Sequence, residues 1–233
     1  MRKTMLKSFA ILFSFSVLLL AGCSKSASDT PATTANLSVL NLSPDAGGLD
    51  FFVGGLRVVT NLTYPQYTGY TQFLAGSLGI NVAPNNTTTN LIGGTLNMNS
   101  GSYASFFIVD SLSKIKAKPI FDDLKAPSTD SVKIRFFHFS PNLASVDVSI
   151  SGGATLFPGR KFSDQDSIPN LAAFSYLKAG SYTFQMKNTG GSTVLASISS
   201  LNFIGGKIYT LYAYGCVGGT GTQVLNLGSL LHN

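Results

Sequence analysis

The sequence predicts an all-β protein: two tandem immunoglobulin-like antiparallel β-sandwich domains behind a signal peptide and a flexible tether. Three observations carry this. Apolar and polar residues alternate with period two, as in Val146-Asp147-Val148-Ser149-Ile150 and Tyr182-Thr183-Phe184-Gln185-Met186-Lys187, and no stripe of helical spacing competes. Clusters such as "APNNTTTN", "NTGGS" and "IGGK" punctuate these runs as turns, because Gly and Asn tolerate the backbone angles a turn needs. The stretch "LNLSPDAGGLDFFVGG" from Leu40 also has a double, "FHFSPNLASVDVSISGG" from Phe137, 97 residues later.

The N-terminus reads as an address. Arg2, Lys3 and Lys7 precede an apolar run from Phe9 to Ala21, shorter than the roughly 20 residues a spanning helix needs and suited to a signal-peptide core. Directly after it, Leu20-Ala21-Gly22-Cys23 resembles the lipobox of bacterial lipoproteins. That resemblance implies cleavage after residue 22 and a diacylglycerol on the Cys23 thiol. Two or three acyl chains on one residue hold a protein stably at a membrane where one holds it only marginally. Ser24 resembles the outer-membrane default, so the expected location is the outer membrane, lipid-anchored, with the side it faces left open. The next stretch, "SKSASDTPATTAN", has the small, polar composition of a tether, and we expect residues 23–35 to serve as one.

Composition narrows the function classes. The chain has sixteen Lys and Arg, ten Asp and no Glu; without residues 1–22 the excess of basic groups is small. These groups are scattered apart from Lys114, Lys116 and Lys118, which read as the solvated face of a strand, so nucleic acid is not an expected partner. Cys216 remains after Cys23 is lipidated, which leaves no intramolecular disulfide, and it reads as a small buried hydrophobe.

Followed past its opening, the repeat spans the body. Ser43-Pro44 matches Ser140-Pro141, Asp50 matches Asp147 and Gly55 matches Gly152. Ala75-Gly76-Ser77 matches Ala179-Gly180-Ser181 at an offset of 104, and loop insertions account for the drift. The predicted domains are residues 36–125 and 131–233, joined by "KAPSTDS", each with roughly seven strands and its own core. Val39, Leu49, Phe51, Leu78 and Ile80 are expected in one core; Phe136, Val146, Val148, Tyr182 and Phe184 in the other.

The repeated motif reads as a corner. Ser, Pro, then Asp45 or Asn142 suit a type I turn, because Pro presets φ and an Asx side chain bonds nearby backbone. His138 lies two residues before its turn and Asn41 replaces it in the first copy; an amide cannot stand in for a titrating imidazole, so a hydrogen-bonding role is expected of both. Asp50 and Asp147 are expected to be turn-bonded or solvated. With these residues in view, "VKIRFFHFSPNLASVDVSI", Val132 to Ile150, resembles the opening of the bacterial family catalogued as domain of unknown function 4397. The second copy keeps Arg135, His138, Ser140, Pro141, Ala144 and Val146-Asp147-Val148; the first keeps Ser43-Pro44-Asp45-Ala46 and Asp50. The second copy is the clearer match, and the resemblance implies a fold and a location more than an activity.

No catalytic constellation is evident. Walker, Gly-x-Ser-x-Gly and Cys-x-x-Cys patterns are absent, and a triad would need His138 or His232, the latter expected in a frayed C-terminus. No cofactor or metal is expected; "SDQDS", Ser163 to Ser167, lacks the Gly turn and distal acid of a Ca²⁺ loop. Function is expected in the extra loop of the second copy, Phe157 to Pro169, where Phe157, Arg160, Lys161 and Phe162 offer aromatic and cationic contacts. The reading is a non-catalytic binding or adhesion protein taking a glycan or an envelope protein; the alternative is a scaffold or spacer with no dedicated ligand. Oligomeric state is not indicated.

Overall fold

The computed structural model describes residues 33–233. The expected signal peptide, Cys23 and residues 24–32 of the tether lie outside the described residues.

Each copy forms eight strands. The first contains β1 (Thr34–Asn41), β2 (Leu49–Val53), β3 (Leu56–Leu62), β4 (Thr71–Leu74), β5 (Gly76–Pro84), β6 (Ile92–Met98), β7 (Tyr103–Val109) and β8 (Lys116–Phe121). The second contains β9 (Ser131–His138), β10 (Val146–Ile150), β11 (Thr155–Arg160), β12 (Ser175–Lys178), β13 (Gly180–Asn188), β14 (Val194–Phe203), β15 (Ile208–Tyr214) and β16 (Asn226–Leu231). β1 begins at Thr34 and Ala35 is fully buried in it, so the first copy starts inside the stretch assigned to the tether.

Two four-stranded sheets make each copy, in the orders β4-β1-β7-β8 and β3-β2-β5-β6, then β12-β9-β15-β16 and β11-β10-β13-β14. The second pair repeats the first strand for strand, and every sheet draws its strands from one copy. Neighbours run antiparallel except β1 with β7 and β9 with β15, which are parallel.

Between its sheets each copy encloses a core. Phe51 meets Phe106 edge-on at 5.1 Å in the first, and Phe184, Phe203 and Tyr209 pack in sequence at 5.5 and 4.5 Å in the second. A further apolar cluster joins the copies: Leu40, Leu42, Phe107 and Val109 from the first, and Phe137, Phe139, Tyr212 and Leu230 from the second. Residues 33–233 accordingly fall within one compact unit. The physical cause is visible in the strands. Phe106 and Ile108 face the first core while Phe107 and Val109, one residue on, face the other copy, so the central strands are apolar on both sides.

Candidate functional site

The duplicated corner is a joint in both copies. Asp50 is fully buried and accepts the Asn61 N–H at 2.9 Å and the Asn86 N–H at 3.0 Å. Asp147 accepts the Gly159 N–H at 2.7 Å and the Gly190 N–H at 3.1 Å. All four donors sit at positive φ, between 53° and 73°, so each carboxylate pins two left-handed residues that end neighbouring strands. Those bonds from Gly159 and Gly190 hold the Asp147 carboxyl below the usual range. Asn41 donates to Gly47 O at 3.2 Å and to Leu62 O at 2.9 Å, and the His138 Nε2 bonds Ala144 O, the position equivalent to Gly47, at 3.2 Å. His138 is fully buried, and that burial lowers its pKa. Ser43 and Ser140 are buried beside Pro44 and Pro141; the Pro44 carbonyl accepts from Gln223 of the second copy at 2.8 Å, and Asp45 accepts the Leu112 N–H at 2.7 Å.

The loop expected to bind a partner is mostly consumed by the fold. Phe157 is 8% exposed and stacks on Phe136 at 5.8 Å within the second core. Arg160 is 3% exposed, donating to Phe136 O at 2.7 Å and to both oxygens of Asp164 at 2.7 and 2.9 Å. Phe162 packs into the cluster between the copies, under the ammonium of Lys116 at 4.8 Å, and Asp166 pairs with Lys118. Only Lys161 of the four is exposed. The loop is a strap drawing the second copy onto β8, where it grips Lys116 and Lys118, while Lys114 is exposed as expected of a solvated residue. Cys216 is half-buried with its thiol pKa raised by burial. Among the described residues no group of acids, His and Cys could hold a metal.

The polar concentration lies elsewhere, at the seam between the copies, in residues no local motif marks. His232 is 6% exposed, not frayed. Arg135 can only donate and the Asp122 carboxylate only accept, which sets the sense of a closed ring. Arg135 Nε donates to Thr210 Oγ1 at 2.8 Å, Thr210 to His232 Nε2 at 2.7 Å, and His232 Nδ1 to Tyr70 Oη at 2.7 Å. Tyr70 donates to Asp122 Oδ2 at 2.7 Å, and Arg135 Nη2 closes the ring on Asp122 Oδ1. Ser105 adds a donor to Asp122 at 2.8 Å. Tyr70, Ser105 and Asp122 belong to the first copy; Arg135, Thr210 and His232 to the second. Burial, opposed by Asp122 and assisted by Arg135, lowers the His232 pKa to about 4, so its ring is neutral at neutral pH and Nε2 accepts from Thr210. Burial, then Asp122, raises the Tyr70 hydroxyl.

Above this ring a groove follows the chain from β8 into the linker. It has two basins, of about 750 and 370 Å³, which share Phe121 and Asp123. His232 and Tyr70 line the larger; Arg135, Phe174 and Tyr176 line the smaller. Phe174 bridges ring and groove, lying 4.2 Å over the Arg135 guanidinium and edge-on to His232 at 5.8 Å.

Fold and site together define a class: a duplicated sandwich-like β module whose copies meet across a buried polar seam. Residues 35–149 match the family described as Domain of unknown function (DUF4397), and the chain resembles that family over this stretch. The match spans the whole first copy and ends within β10, although the corner motif is fuller in the second. No curated protein matches the sequence. Among solved structures, the Bacillus anthracis TIE protein is 13% identical over 76% of this chain with a TM-score of 0.23, and this chain spans 33% of its length. CBMbc, a family CBM26 module of Eubacterium rectale Amy13K solved in complex with maltoheptaose, is 8% identical over 84% of this chain and 95% of its own, at a TM-score of 0.26. A streptococcal virulence factor described by its alpha-glucan binding is 8% identical, covering 76% and 92%, at 0.23. Superpositions this loose carry no functional argument.

Proposed function

We propose that this chain is a lipid-anchored protein of the outer membrane that works by non-catalytic binding or adhesion, presenting two locked sandwiches as one rigid body beyond a short tether. The observation that carries the reading is the seam ring. Its titratable groups, Tyr70, Asp122, Arg135 and His232, are spent on one another, which suits a fixed floor better than proton transfer. A rigid concave surface also lowers the ordering cost of binding. The spacer reading draws support from the strap, whose aromatic and cationic side chains serve the fold.

The test joins location to binding. Cells expressing the chain should adhere to glycan- or protein-coated surfaces better than cells lacking it. Cys23→Ser should abolish acyl labelling and release the protein from membranes, removing the adhesion with it. Labelling that persists in the variant contradicts the anchor; full membrane retention of wild type without any gain in adhesion favours the spacer.

A further inference from the structure

Two large aromatic side chains stay in water where the fold offers them cover. Phe121 is 55% exposed and Tyr176 is 70% exposed. They lie on edge strands of different copies, β8 and β12, yet both line the smaller basin of the seam groove. Single exposed apolar residues need no explanation. Two rings brought to one concavity from separately folded copies do, because lining of this kind characterises ligand sites.

The floor beneath them narrows the chemistry. Lys133 Nζ bonds the Asp123 carboxylate at 2.6 Å, and Arg135 bonds Asp122. The Lys133 bond, followed by one from the Lys125 N–H, holds the Asp123 carboxyl below its usual range. Each cation therefore has its own carboxylate, and the basin presents hydrogen-bonding groups without a net charge to recruit an ion. The Asp123 side chain is 70% exposed even so, leaving acceptor capacity toward the groove. Exposed aromatic rings beside a neutralised polar floor fit a ligand that is itself two-sided, apolar on one face and hydroxylated at its edges.

We propose that the seam groove is a binding site for a neutral saccharide, with sugar rings stacked on Tyr176 and Phe121 and hydroxyls bonded at Asp123. This rests on the binding reading above and gives it a ligand class and a place. Aromatic side chains with few rotatable bonds supply such contact at low entropic cost. The larger basin, which Phe121 and Asp123 also line, offers about 750 Å³ on the other side of the shared pair for further sugar units.

The full chain, purified in detergent, is run in native gels containing dextran, glycogen, xylan, mannan or a mixed-linkage β-glucan. At least one neutral polysaccharide should retard it. Tyr176→Ala and Phe121→Ala should each weaken that retardation at least tenfold while leaving the melting temperature within a degree or two, and Tyr176→Phe should restore it. The site is overturned if none of these polysaccharides retards the protein, or if retardation survives the double alanine variant. It is equally overturned if only an anionic polysaccharide or a peptide is captured. Adhesion of cells carrying the double variant separates the two levels: undiminished adhesion removes the groove and leaves the binding reading standing, whereas absence of adhesion by wild type removes the binding reading itself.

Discussion

At the scale of single residues, His138 and His232 are both buried, and burial lowers the pKa of each, to about 4 for His232. An unfolded histidine titrates near ~6.5. As pH falls below that value the unfolded chain binds protons that the folded one refuses, so stability is fully present above it and is lost as pH drops toward 4. For His232 the loss is on the order of 3 kcal/mol once pH has passed below its folded pKa. Urea midpoints should fall between pH 7 and 4.5. His138→Asn should remove that residue's share at small cost, because Asn41 already bonds across the same corner in the first copy. A midpoint flat across this range would mean that His232 is not held neutral in the ring. His232 itself was not legible in the sequence: Tyr70, Asp122, Arg135, Thr210 and His232 are scattered through the chain and share no spacing.

At the scale of elements, period-two alternation and turn punctuation place the strands, and the 97-residue offset carries over to the contacts of Asp50 and Asp147. The strap is not legible in the sequence, because an insertion rich in Phe, Arg and Lys has the same composition whether it faces a partner or folds back. Burial decides, and it is set by β8, which lies far from the strap in sequence. Replacing Phe157–Pro169 by a short Gly-Ser turn should therefore destabilise the protein. It deletes Phe157 from a core, where truncation of a buried Phe costs about 3–5 kcal/mol, and removes the bonds of Arg160. A melting temperature unchanged by the swap would return the loop to the surface and to a binding role.

At the scale of the whole molecule, the two copies have separate cores and a common one. The signal for the common core was present: "SFFIVD", "IRFFHF" and "IYTLYAY" carry apolar residues at consecutive positions, which a strand with one solvated face does not need. Leu40, Phe107, Phe137 and Phe139 are each at most 2% exposed and pack in a cluster drawn from both copies. Burying such a side chain is worth about 1.5–3 kcal/mol, so a copy expressed alone would present an adhesive apolar face and be less stable than it is in the pair. Coupling across the seam is the central claim, and calorimetric unfolding of the full chain at neutral pH, beside residues 33–126 and 127–233 expressed separately, tests it most directly. The account predicts one cooperative transition for the full chain, above the melting temperature of either half. Two independent transitions, each at the temperature of the corresponding isolated half, would contradict it.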